Sequence, residues 1–150
     1  MQIELTKIVE KSDFMEMALA HFRELNPTFE PATDWTNCYF ENIAKNSCYS
    51  LCWIMLGPIR AGFVLYGIEH HRFLPRQTGA IYELYVLPQH RCQRIATACA
   101  CQVIAELSKS SLSKIQLEVV EGNRAAMQLW NSLGFKKVSE RLTLLPPQQK

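Results

Sequence analysis

The chain has 150 residues, 48% of them hydrophobic and 20% charged, with 16 basic and 14 acidic residues for a net charge of +2. This length suits a single domain, 1–150, with enough apolar material for a core, and the composition excludes disorder, collagen-like sequence and a coiled coil. The balanced charge argues against nucleic acid or an anionic membrane as partner. No apolar run reaches the ~18–20 residues of a membrane span, and the opening MQIELTKIVEKSDF lacks the continuous apolar stretch of a secretory signal.

In chain order, Ile3 to Val9 reads as a short strand. Asp13, with Glu16 three residues on, suits the cap of a helix from Phe14 to about Leu25, ended by Asn26-Pro27. Thr33 or Asp34 can cap a second helix to about Lys45. Apolar runs at Cys52–Met55 and Ala61–Ile68, separated by Gly57-Pro58, predict a hairpin. His70 to Thr78 forms a polar loop whose two histidines are either simply solvated or rim an acceptor cleft. Ala80 to Leu87 is a third strand, stopped by Pro88. Ile95, Cys99, Val103 and Leu107 mark the apolar stripe of a long helix from about Gln93 to Ser108.

Ile115 to Val120 is strand-like, and Asn123 can cap a short helix that Gly134 ends. Phe135 to Leu145 is read as a final extended segment, which can pair across a homodimer. The order β-α-α-β-β-β-α-β-α-β predicts an α/β (α+β) fold with a mixed, mostly antiparallel sheet and helices on both faces. Six cysteines (Cys38, Cys48, Cys52, Cys92, Cys99, Cys101) form neither a C-x-x-C pair nor a zinc-type spacing. They read as buried small hydrophobes in a reducing, cytoplasmic setting, with no metal site.

Chemistry concentrates between Tyr82 and Ala96, where a strand ends, a short loop follows and a helix opens. A helix N-terminus presents backbone N–H groups without intrahelical partners, and with Arg91 and Arg94 beside it the corner suits a phosphate. Glu83 sits in an otherwise apolar strand, AIYELYV. Such a carboxylate pairs with a nearby arginine, caps a backbone group or serves as a base.

The string V-x-P-x-x-R-x-x-R-I-A, from Val86 to Ala96, resembles the pyrophosphate loop of the GNAT superfamily of acyl-CoA-dependent N-acetyltransferases, [Q/R]-x-x-G-x-[G/A]. Asn123, Ala126, Trp130 and Leu133-Gly134-Phe135 resemble the family's second landmark, and the element order from Ile3 to Leu145 resembles its fold.

The resemblance implies transfer of an acetyl group from acetyl-CoA, with CoA as product, to an amine on a small molecule or peptide. The coenzyme contacts it implies are Val86, Leu87, Arg91, Cys92, Gln93, Arg94, Ile95, Ala96, Thr97, Asn123, Ala126 and Trp130. It implies Glu83 as base and a backbone N–H near Val86 for the developing oxyanion. Arg94 stands in place of the family's first glycine, and Trp130 where a tyrosine is common. Tyr82 and Tyr85 lie on opposite faces by alternation, and each either packs as an ordinary aromatic or substitutes as the proton donor. Those two departures also support an alternative, a GNAT-like domain that binds acyl-CoA as a sensor or interaction module.

Overall fold

The computed structural model describes residues 2–147. The elements are β1 (Glu4–Lys7), α1 (Lys11–Leu25), α2 (Thr33–Ala44), β2 (Tyr49–Leu56), β3 (Ile59–His70), β4 (Gln77–Val86), a 3₁₀ turn (Pro88–His90), α3 (Ile95–Leu107), β5 (Ile115–Leu117) and α4 (Arg124–Ser132). They fall into two compact units, divided between Val120 and Glu121.

The first unit holds a five-stranded sheet in the order β1-β2-β3-β4-β5. All pairs are antiparallel except β4–β5, which is parallel. Side-chain alternation divides its core. Leu51 and Trp53 of β2, Phe63 and Leu65 of β3 and Tyr85 of β4 pack with Phe14 and Ala18 of α1 and Ile43 of α2. Ile54 and Val64, one residue out of phase and fully buried, face the opposite side. There α3 lies against β3 and β4, with Ile95, Cys99, Val103 and Leu107 buried as its stripe predicts. The α+β class with helices on both faces is as the sequence predicts.

The helix starts differ from expectation. Helix α1 begins at Lys11 after Glu10, without a side-chain cap. Asp13 instead accepts from Arg60 Nη1 at 2.7 Å, since a carboxylate inside the first turn is free to reach a guanidinium on the hairpin. Helix α2 follows Ala32 and is likewise uncapped by a side chain. The cysteines depart too. All six are free, but only Cys99 is buried, while Cys38, Cys92 and Cys101 are exposed. Helix and loop geometry, not sulfur's affinity for the core, sets their exposure.

In the second unit Asn123 accepts from the Ala126 N–H at 3.1 Å, as an N-cap should. Gly134 takes φ +94. The Phe135 and Gly134 N–H groups return to the Trp130 and Asn131 carbonyls at 3.0 and 3.1 Å, and the Trp130 and Phe135 rings pack 5.3 Å apart. This is a complete Schellman ending with its hydrophobic contact. The expected strand over Phe135–Leu145 does not form within the described residues. Val138, Leu142 and Leu144 are almost fully exposed. Apolar alternation makes a strand only where a neighbouring edge takes up its backbone groups.

Gly62 sets the spacing of β3 and β4. A Cβ there would lie 1.9 Å from the Tyr85 carbonyl oxygen, which is backbone and cannot swing aside. Gly62→Ala is therefore expected to lower unfolding stability by at least about 2 kcal/mol in urea titration. An unchanged midpoint would show that the strands part without cost.

Candidate active site

The site grows from an irregularity in β4. Leu65 pairs with Glu83 but Tyr66 pairs with Ile81, so Tyr82 is an extra, bulged residue. The bulge breaks the period of two. Glu83 opposite Leu65, and Tyr85 opposite Phe63, face α1 and α2, and Tyr82 packs against the same cluster. Tyr82 and Tyr85 thus share a face, correcting the expectation that they lie on opposite ones. On the other edge, β5 follows β4 only as far as Ile81↔Leu117. From Tyr82 to Val86 the strand has no β5 partner. The Leu87 N–H donates to Ala61 of β3 at 2.8 Å, so by alternation the Val86 N–H and carbonyl point toward the edge that β5 has left.

The partner the structure gives Glu83 is a histidine. Glu83 Oε2 lies 2.5 Å from Nε2 of His21 on α1. The imidazole is 9% exposed and the carboxylate 21%, so the acid can be reached from solvent while the ring is enclosed. The sequence reading passed over His21. The available signal was its spacing: Phe14, Ala18 and His21 follow i, i+4, i+7, which places a polar ring on the buried stripe of α1.

Arg91 is committed. Its Nη1 and Nη2 meet the two Glu24 oxygens at 2.6 and 2.8 Å, its Nε donates to the Val86 carbonyl at 2.9 Å, and it lies over the Tyr85 ring. The Arg91 hydrogen bond, foremost, holds the Glu24 carboxyl below the ordinary carboxylate range. Both side chains are more than a third exposed, so the pair adds no more than about 1 kcal/mol. Its consequence is geometric, since it ties α1, the end of β4 and the loop before α3 together.

That loop is left-handed at Cys92 (φ +60) and again at Arg94 (φ +62), the N-cap of α3. Arg94 occupies the conformation glycine favours, with an exposed side chain. It has no oxygen with which to cap, and no side chain caps α3. The Ile95, Ala96 and Thr97 amides, in the first turn, therefore keep their donors while the Arg94 carbonyl accepts from Ala98. Cys92 and Gln93 are exposed in the same loop, and Leu87 packs into the α1–α2 side of the core.

The two tyrosines hold their protons. Burial first, then the acceptor Glu69 (Oη to Oε1, 2.7 Å), pushes the Tyr82 phenol well above its usual range. Burial and then Glu24 raise Tyr85. His70 and His71 line a cavity of about 660 Å³ with Arg76, Gln77, Ser111 and Ser113. It lies at the start of β4, roughly 20 Å along the strand from Glu83, so these histidines do not join the carboxylate. Asn123, Ala126 and Trp130 belong to the second unit, where Asn123 is the cap of α4 and Trp130 is buried.

A model of the acetyltransferase (GNAT) family matches residues 13–135. A comparison with curated proteins finds no match to the sequence. Among solved structures, a transcriptional regulator from Bacillus halodurans C-125 is similar with a TM-score of 0.78 at 17% identity, over 96% of this chain and 99% of that one. AAC(6')-Iy in complex with the bisubstrate analogue CoA-S-monomethyl-acetylneamine gives 0.71 at 15% identity, over 99% of each chain. A ribosomal-protein-alanine N-acetyltransferase from Brucella melitensis biovar Abortus 2308 gives 0.71 at 14%, over 96% and 98%. At these identities the likeness is one of fold.

The left-handed Arg94 yields a direct test. That conformation costs a non-glycine residue roughly 1–2 kcal/mol, more than the roughly 0.5–1 kcal/mol of backbone entropy that glycine would lose. Arg94→Gly should raise stability by about 0.5–1 kcal/mol in urea titration. A loss of stability would mean that the arginine side chain supports the loop.

Proposed function

This chain belongs to the acetyltransferase (GNAT) family, and from that premise we propose that it moves an acetyl group from acetyl-CoA to a primary amine by direct attack, without a covalent enzyme intermediate. The observation that carries the reading is the pairing of two open sets of backbone donors in the first unit. One is the uncapped first turn of α3, and the other is the edge of β4 that β5 leaves after Ile81.

The donor set fits the coenzyme. The Ile95, Ala96 and Thr97 amides, the positive end of α3 and the exposed Arg94 suit a diphosphate. When bound, the coenzyme supplies a thioester carbonyl. The Val86 N–H is the donor for the negative charge that develops on the acyl oxygen, and a backbone donor needs little reorganisation there.

The acceptor needs a base. An alkylamine with a pKa near 10.4 is almost wholly protonated at neutral pH. Glu83, the reachable carboxylate on the face toward α1 and α2, removes that proton. Tyr82 and Tyr85 retain theirs, and a thiol of pKa about 8.5 leaves adequately as thiolate, so the reading needs no acid at Trp130. The acceptor is a small molecule or a peptide N-terminus.

The test is calorimetry with acetyl-CoA followed by single-turnover transfer to spermidine, kanamycin and an alanine-initiated peptide. Products are read by mass, because exposed thiols at Cys38, Cys92 and Cys101 confound thiol reagents. Binding and transfer by the unmodified protein are expected. Glu83→Gln should slow transfer by roughly 10²–10⁴-fold while acetyl-CoA still binds. Undiminished transfer would remove Glu83 from the reaction, and absence of binding at millimolar acetyl-CoA would overturn the reading.

A further inference from the structure

We infer that His21 is a positioning residue for Glu83, fixing the carboxylate through Oε2 so that Oε1 alone is presented to the acceptor amine; this rests on the function proposed above. Glu83 Oε2 is taken by His21 Nε2 at 2.5 Å, and Oε1 stands outside that contact. An ionised carboxylate can only accept, so Nε2 carries the donated proton in the form ready to act. One oxygen is thus occupied and the other keeps its lone pairs.

The ring itself has little room to move. It packs 5.3 Å from Phe22, 5.7 Å from Phe63 and 5.0 Å from Tyr85, measured between centroids. Phe22 is its neighbour on α1, while Phe63 and Tyr85 come from β3 and β4, so two strands confine the imidazole while the imidazole holds the acid. The other ionisable groups nearby do not compete for the role. Tyr39 of α2 keeps its proton, because burial first and the Glu83 charge second raise its phenol. Tyr85 is raised by burial, and Glu24 of α1 is engaged by Arg91 through both oxygens.

The purpose follows from the bulge. Glu83 sits beside an extra residue in a strand whose outer edge is open, and its side chain has enough exposure to swing. An untethered carboxylate would spread over several rotamers and meet the amine in few of them. A displacement of about 1 Å in such a group can cost on the order of 10²-fold in rate. The proton balance is simple. The ammonium gives one proton to Oε1, leaving a neutral amine with a free lone pair and a neutral carboxylic acid, still hydrogen-bonded to Nε2. That acid returns the proton to water, and the second proton, lost from nitrogen as the amide forms and the thiolate leaves, is also released to water.

A double-mutant cycle on single-turnover transfer, with acetyl-CoA and the best of the three named acceptors, tests this. His21→Leu should slow the transfer step roughly 10–100-fold with unchanged acetyl-CoA affinity. His21→Gln places an amide N–H near the Nε2 position and should stay within about threefold of the unmodified protein, while the shorter His21→Asn should behave like His21→Leu. In the Glu83→Gln background His21→Leu should cost less than about twofold, since its effect passes through the missing carboxylate.

Equal losses in both backgrounds, or no loss in either, would overturn the inference while leaving the proposed function standing. If His21→Leu does not fold, the contrast between Gln and Asn decides, and equal activities there overturn it. Failure of the unmodified protein to acetylate any of the three amines overturns the proposed function, and this inference with it.

Discussion

The constraint on which the rest depends is where β4 stops being an ordinary strand. Up to Ile81 it is paired on both sides, with β3 and with β5. At Tyr82 it gains a residue, and beyond that point it keeps only β3. Two consequences follow from one irregularity. The parity of the strand changes, which brings Tyr82, Glu83 and Tyr85 to the face covered by α1 and α2. The outer edge beyond Ile81, including the Val86 N–H, is not paired with β5. Beyond the bulge the missing side chain of Gly62 lets β3 lie close against the Tyr85 carbonyl of β4.

The second constraint is the corner after β4. Arg91 bonds the Val86 carbonyl, bridges to Glu24 and covers Tyr85. It resembles an anion ligand in sequence and acts as a strut in the structure. The backbone amides proposed to meet an anion lie beyond it, after a left-handed turn at Arg94 where a glycine would sit without strain. A charge-bearing side chain at that position adds its own field to that of the helix. These features set open backbone N–H groups and the Glu83 carboxylate around one strand end.

Much of this was legible in the sequence because it depends on local chemistry. The strand-proline-helix order from Tyr82 to Ala96, the Asn123 cap and the Gly134 ending all obey rules that act over a few residues, and the structure follows them. What sequence could not reveal depends on contacts between distant elements. The Glu83–His21 bond joins residues 62 positions apart. The Arg91–Glu24 bridge spans 67. A bulge depends on how two strands accommodate each other, so alternation alone placed Tyr82 and Tyr85 on the wrong sides. The final strand failed for a related reason: Val138, Leu142 and Leu144 alternate correctly, but pairing needs an edge. Three of the cysteines are exposed because their elements turn them outward, whatever their average preference.

The account's central claim is that the open amides of β4 and α3 receive the coenzyme. The most direct measurement is the change in backbone 1H–15N resonances when CoA is added to saturation. The account predicts the largest changes at Leu84 and Val86 and at Ile95 to Thr97. No change at those amides at saturating CoA, or changes confined to the cavity around His70, Arg76 and Ser113, would contradict it.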